Sequence, residues 1–256
     1  MGERTSHPPG TISWTDLVTS DLDAAKGFYG SLLGWTFEDM PVGDGNVYSM
    51  AGVGGRHVAA VSADQEQPPH WNLYVTVASA DAAAARAGEL GATVLAPPFD
   101  VLDAGRMAVV QDPTGAILCP WEPRLNIGAQ LVNAPGALTW ADITTPDPDA
   151  AARFYGDWLG WTLDTGEFGP DYRVIRTGGR TNGGVTALPP DQAAAGVPPH
   201  WYPYLGTEDL EAAVAAVGEL GGRTVVEPTE TPVGSFAVVI DPQGADFALW
   251  GGRYDD

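Results

Sequence analysis

The sequence predicts an α+β chain made of two tandem halves, each built from two βαβββ units. Two observations carry that prediction: a set of short segments that returns once in the same order, and an alternation of strand-like and helix-like apolar spacing inside each return. Gly10-Thr-Ile-Ser-Trp14-Thr-Asp16-Leu17 comes back as Gly136-Ala-Leu-Thr-Trp140-Ala-Asp142-Ile143, an offset of 126. Phe28-Tyr29-Gly30 and Leu33-Gly34-Trp35 return at the same offset as Phe154-Tyr155-Gly156 and Leu159-Gly160-Trp161. Pro68-Pro69-His70-Trp71 matches Pro198-Pro199-His200-Trp201, and Asp112-Pro113-Thr114-Gly115 matches Asp241-Pro242-Gln243-Gly244. The halves are therefore placed at 10–123 and 136–253, with 124–135 as the connector.

Each element follows in turn. Residues 11–19 alternate apolar and polar, as a half-buried strand does. Asp21 is a helix N-cap, Leu22, Ala25, Phe28, Tyr29 and Leu32 keep helical spacing, and Gly34 ends the helix. Short strands fit 35–38, 47–51 and 57–62. The pattern restarts with a strand at 72–77, a helix at 80–90 stopped by Gly91, and strands at 93–96, 106–111 and 116–121. Asp112-Pro-Thr-Gly115 supplies the turn between the last two. The second half repeats this order with helices at 148–159 and 209–220.

Composition narrows the function. With 33 acidic and 12 basic residues in 256, the formal net charge is −21. Such a chain repels phosphate backbones and anionic lipid surfaces, so nucleic acid and membrane are excluded as partners. No apolar run approaches the ~18 residues that span a bilayer. The lone cysteine, Cys119, cannot close an intramolecular disulfide, and residues 1–10 show no basic stretch followed by an apolar one. A cytoplasmic location is expected.

The ordered segments resemble the vicinal oxygen chelate superfamily of glyoxalases, bleomycin-resistance proteins, fosfomycin-resistance enzymes and extradiol dioxygenases. The resemblance rests on Trp14-Thr-Asp-Leu-Val-Thr-Ser-Asp21, Phe28-Tyr29, Leu33-Gly34-Trp35, the Gly88-Glu-Leu-Gly91 helix end and Asp112-Pro-Thr-Gly115. It implies curled mixed sheets that form cups, with ligand or chemistry inside. It also implies where a divalent metal would be held. Those positions are occupied by Trp14 and Trp140, Asn72 and Tyr202, Cys119 and Ala248, and, near the fourth strand, Ala60 and Gly184. No complete ligand set results, and the four histidines, His7, His57, His70 and His200, supply at most one per cup. His7 falls in a segment expected to fray. Neither a metal nor another cofactor is expected.

If Trp14 faces inward, period two brings Ile12, Asp16 and Val18 with it, and Leu138, Trp140, Asp142 and Thr144 in the other half. A carboxylate in an apolar concavity must be paired or bonded. Asp16 and Asp142 therefore either bond backbone amides or an internal arginine such as Arg106 or Arg176, or they face a ligand as its anchor or as a proton acceptor. They are the candidate catalytic residues. Candidate ligand-binding residues are Trp14, Tyr48, His70, Asn72, Arg106, Cys119 and Trp121 in the first half, and Trp140, Tyr172, His200, Tyr202 and Trp250 in the second. The Pro-Pro-His-Trp stretches can equally be strand-entry corners.

These residues point to a metal-independent protein that binds a small planar aromatic molecule, neutral or cationic, in resistance, sequestration or secondary-metabolite processing. The alternatives are a lyase, isomerase or hydroxylase helper using Asp16 or Asp142 with His70 or His200, a metal enzyme with unusual ligands, and a scaffold whose cups are filled. Two cups can close within one chain, so a monomer or a weak homodimer suffices.

Overall fold

The computed structural model describes residues 2–43, 45–165, 168–169 and 172–254; Asp255 and Asp256 of the acidic tail lie outside them. The first half contains β1 (Gly2–Glu3), β2 (Ile12–Thr19), α1 (Leu22–Leu33), β3 (Thr36–Gly43), β4 (Asn46–Val53), β5 (Arg56–Ala63), β6 (His70–Thr76), α2 (Ala80–Glu89), β7 (Thr93–Val101), β8 (Gly105–Gln111) and β9 (Ile117–Pro123), followed by β10 (Leu131–Val132). The second contains β11 (Leu138–Thr145), α3 (Pro148–Leu159), β12 (Thr162–Thr165), β13 (Tyr172–Thr177), β14 (Arg180–Ala187), α4 (Pro190–Ala194), β15 (His200–Gly206), α5 (Leu210–Glu219), β16 (Arg223–Thr231), β17 (Gly234–Ile240) and β18 (Asp246–Gly252).

Local chemistry sets the element ends. Asp21 accepts from the Ala24 amide at 3.0 Å and Asp147 from Ala150 at 2.9 Å. Gly34 and Gly160 then close α1 and α3 in the left-handed conformation. Strand β7 runs on to Val101, past the end expected at residue 96, through Pro97 and Pro98. It tolerates them because it is the sheet edge, where missing N–H donors cost little.

Each half forms one eight-stranded mixed sheet, in the orders β3-β4-β5-β2-β6-β9-β8-β7 and β12-β13-β14-β11-β15-β18-β17-β16. The two units of a half join through antiparallel β2–β6 and β11–β15, so each cup belongs to one half. Sequence had left open whether units pair within or between halves.

The other side of each sheet is shared between halves. One core joins Phe28, Tyr29 and Trp35 to Leu210, Val217 and Phe247; another joins Leu73, Val75 and Leu118 to Phe154, Tyr155 and Trp161. Polar bonds cross reciprocally. The Tyr29 hydroxyl donates to Asp241 Oδ2 at 3.0 Å, and the Tyr155 hydroxyl to Asp112 Oδ2 at 2.8 Å. Trp35 Nε1 donates to the Gly136 carbonyl and Trp161 Nε1 to the Gly10 carbonyl, both at 2.7 Å. Gly136 must be glycine: its φ is +75°, and a Cβ there would meet the side chain of Val53 and the carbonyl of Leu33.

One segment departs from expectation, and a second is held more closely than its position alone implies. The N-terminal stretch is anchored rather than frayed, because β1 pairs with β10 and buried His7 has its Nε2 2.7 Å from the Ala129 carbonyl. The connector is likewise no loose linker. Ala129 donates to the Ser13 carbonyl and Gln130 to that of His57, both at 2.8 Å, which lays the connector over the first cup.

Substituting Tyr155→Phe removes the donor to Asp112 and the acceptor for Trp201 Nε1, leaving two buried polar groups unpaired. It should cost about 1–3 kcal/mol in urea unfolding while keeping a single transition, since the cores span both halves.

Candidate functional site

The inward face begins at Trp14 and Trp140 rather than at Ile12 and Leu138, where period two starts it. The β2–β6 register shifts between Ile12 and Trp14, and the β11–β15 register between Leu138 and Trp140. Ile12 and Leu138, expected inside the cups, consequently point into the shared core, while Trp14 and Trp140 stay in the cups.

Both cups are centred on an aspartate that gathers aromatic donors. In the first, Asp16 accepts from the hydroxyls of Tyr48 (2.8 Å) and Tyr74 (2.7 Å) and from Asn72 Nδ2 (3.0 Å), while Trp14 Nε1 donates to the Tyr48 hydroxyl. In the second, Asp142 Oδ1 accepts from Trp140 Nε1 (2.8 Å) and the Tyr172 hydroxyl (2.6 Å), and Oδ2 accepts from the Tyr204 hydroxyl (2.8 Å). Neither aspartate meets an arginine. Arg106 is turned to the other face of its sheet, where it pairs with Asp81 (2.7 Å) and Asp100 (2.9 Å), so its expected place in the cup is corrected. Arg176 does line the second cup, and its Nε lies 2.6 Å from Asp164. Burial raises the proton affinity of Asp16 and Asp142, and the bonds they accept oppose that rise.

The cups diverge in what surrounds this centre. In the first, Met50, Met107, Cys119 and Trp121 pack with Trp14 and Tyr74, and Ala129 from the connector joins them. Trp14 is 4% exposed and Cys119 1%; burial pushes the Cys119 thiol well up, as befits an inert structural cysteine. In the second, Val174, Ala248 and Gly184 replace Met50, Cys119 and Ala60. Gly184 is required by close approach, because a Cβ there would strike the Tyr172 hydroxyl and Asp142 Oδ1. A cavity of about 700 Å³ opens here, lined by Trp140, Asp142, Tyr172, Tyr202, Tyr204 and Trp250. Tyr202 and Tyr204 are stacked with centroids 5.6 Å apart.

The remaining candidates have other tasks. His70 and His200 both sit at strand entries, with Nδ1 2.8 Å from the carbonyls of Pro68 and Pro198. His200 also places Nε2 2.8 Å from Asp246 Oδ2. Burial lowers its pKa, but the Asp246 bond and charge, with the Pro198 carbonyl, outweigh that and raise it. Trp71 and Trp201 lie in the shared cores. Tyr74 and Tyr204 were not among the candidate binding residues, although period two from Asn72 and Tyr202 marks both. Sequence reasoning omitted Phe168, Phe236, Arg253, Tyr254 and the Thr229–Val233 turn, which only the curl of the sheet brings to the cavity.

The positions at which the resemblance expects metal ligands converge on these centres but do not fit a metal. Asp142 pairs in register with Gly184 and Tyr202, and Tyr204 with Ala248. Indole, phenol and methyl groups replace imidazole and carboxylate there, and among the described residues no three His, Cys, Asp or Glu side chains stand close enough to hold an ion.

Residues 11–119 match the Glyoxalase/Bleomycin resistance protein/Dioxygenase superfamily, and residues 139–250 match a glyoxalase-like domain. CFP32 of Mycobacterium tuberculosis, provisionally named a glyoxylase, is 42% identical over 97% of both chains. The anthracycline biosynthesis protein DnrV of Streptomyces peucetius is 33% identical over 96% of this chain and 94% of its own. Among solved structures, the 2,3-dioxygenase LapB from Pseudomonas sp. KL28 shares the fold at TM-score 0.66 and 15% identity, over 95% of this chain and 92% of LapB. The Mn(II)-bound glyoxalase from Novosphingobium aromaticivorans shares it at TM-score 0.65 and 17% identity, over 100% of this chain and 85% of that one.

Because Asp142 binds its proton more tightly folded than unfolded, its contribution to stability is complete below the ordinary aspartate value of 3.8 and is lost as pH rises through the native midpoint. In urea unfolding from about pH 4 to about pH 8, the stability deficit of Asp142→Asn relative to the parent should therefore shrink as pH rises. A deficit that grows with pH would contradict the raised midpoint.

Proposed function

We propose, since the chain belongs to the Glyoxalase/Bleomycin resistance protein/Dioxygenase superfamily, that it binds a small planar aromatic molecule in its second cup without a metal. The observation that carries this is the cavity of about 700 Å³ walled by Trp140, Tyr172, Tyr202, Tyr204, Phe236 and Trp250. A flat ring system gains area burial and stacking against such walls, and the buried carboxylate of Asp142 favours a neutral or cationic guest over an anion. The family's usual ligand positions hold groups unsuited to a divalent ion, which supports metal independence. The relative DnrV bears the name of a biosynthetic protein for anthracyclines, which are themselves fused planar rings, and this favours secondary-metabolite processing over resistance or sequestration.

Each half closes its own cup, which supports a monomer or a weak homodimer. No helix among the described residues is long and apolar enough to cross a membrane; with the acidic net charge this supports a cytoplasmic place of action. A second reading makes Asp142 a proton acceptor for a bound phenol or enol, favoured by its raised proton affinity at the cavity wall.

Isothermal titration with a panel of polycyclic aromatic compounds, including an anthracycline aglycone, should find a ligand with one site per chain. Trp140→Ala should weaken it about ten-fold or more, and Trp14→Ala, in the filled cup, should leave it nearly unchanged. Chelator treatment should have no effect. Loss of binding on chelation, or indifference to Trp140→Ala, would overturn the assignment.

A further inference from the structure

The hydrogen bonds at the floor of the second cup are directional. Tyr172 and Tyr204 each carry one hydroxyl proton, and both protons are committed to Asp142, at 2.6 and 2.8 Å. Trp140 has one indole N–H, shared between Asp142 Oδ1 (2.8 Å) and the Tyr172 hydroxyl (2.9 Å). A carboxylate accepts only, and it has oriented every proton around it toward itself. What this group of side chains has left to offer the cavity is lone pairs: those on the Tyr204 hydroxyl and the remaining one on the Tyr172 hydroxyl.

Taking the second cup as the binding site, we infer that Asp142 is a specificity-determining residue which turns the tyrosine hydroxyls into acceptors, so that the cup selects aromatic ligands whose edge carries hydrogen-bond donors. Phenols, hydroquinones and aryl amines fall in this class. Rings of the same shape whose edge carries only carbonyl, ether or halogen groups do not, because they would set acceptor against acceptor at the cup floor, leaving lone pairs unpaired beneath the ligand. Arg176, Arg253, the Tyr202 hydroxyl and several threonines also line the cavity and can donate, so the centre around Asp142 is isolated by changing it alone. In Asp142→Asn the new amide Nδ2 donates toward Tyr204, whose proton must then turn elsewhere, and the cavity becomes the available direction.

The first cup shows the same device sealed. Tyr48 and Tyr74 spend their protons on Asp16, but Met50, Met107 and the connector cover them, so they select nothing. The two tyrosine-to-aspartate bonds are common to both halves, and access to them is not.

Isothermal titration of the full chain with a dihydroxynaphthalene and with the difluoronaphthalene of the same substitution pattern tests this, since fluorine nearly matches hydroxyl in size but carries no proton. The diol should bind about ten-fold or more tightly. That ratio should fall toward unity in Asp142→Asn and in Tyr204→Phe, with near-ultraviolet circular dichroism confirming that each variant is folded. Equal binding of the two probes, or a ratio unchanged in both variants, would overturn the inference while leaving the cup an aromatic site. Binding of neither probe would overturn it together with the proposed function.

Discussion

The structure depends on an exchange between halves: each half builds its own cup but completes its core with the other. The Asp-Pro turns mediate the exchange. Asp112 Oδ1 accepts from the amides of Thr114, Gly115 and Ala116, which shapes the turn, and Oδ2 takes the hydroxyl proton of Tyr155 from the opposite half. Asp241 does the same for its own turn and for Tyr29. One buried carboxylate thus satisfies a local and a long-range demand at once, and neither can be dropped without orphaning polar atoms in the core. Because helices α1 and α3 are pinned on the convex side, the shared core does not depend on what fills the concave sides. That freedom lets one cup be filled and the other left hollow.

The two cups also show how little separates a packed core from a site. Both contain an aspartate holding two tyrosine hydroxyls and a neighbouring indole. In the first, methionines at 50 and 107 and the folded-back connector occupy the concavity. In the second, glycine replaces alanine beside the aspartate, valine replaces methionine, and Tyr202 replaces Asn72, so the walls are aromatic and stand apart. A buried carboxylate is a cost in either place. In the first cup Asp16 ties Tyr48 of β4 and Asn72 and Tyr74 of β6 to β2, so the centre bridges the strands around the β2–β6 junction whether or not a cup is hollow.

The repeat made the fold legible, because the same weak signals occurred twice in the same order. Strand ends were less so: β7 continues through two prolines only because it is an edge, and edges are a property of the sheet. The aspartates with Trp14 and Trp140 were placed together by period two and by the repeat, whereas Tyr48 and Tyr172 were candidates whose strands reach the aspartates only through the sheet pairing. Arg106 was misplaced because nothing in the sequence fixes which face of its strand turns inward: Met107 takes the cup, and Arg106 points to the opposite face. Ile12 and Leu138 were misplaced because a bulge shifts strand register without leaving a glycine or proline to mark it. The burial of His7 depends on a pairing between the N-terminal stretch and the connector, which no local pattern encodes.

The polarity of the second cup follows from what stands where the family's metal ligands are expected. A divalent ion in a cup presents positive charge, and its natural guests are oxygens with lone pairs to give. With Trp140, Tyr202, Ala248 and Gly184 at those positions, the largest charge at the centre is the carboxylate of Asp142, and the sign is reversed. The groups a metal would attract are those a carboxylate-centred array leaves unpaired, and the groups a metal would not bind, protonated hydroxyls and amines, are the ones it can accept. On the proposed reading the same concave fold would serve two opposite chemistries, decided at four strand positions. The chain's net charge of −21 would then reach a guest through one well-buried carboxylate of the second cup, Asp142, so the direction of a few hydrogen bonds, more than bulk acidity, would set the selectivity.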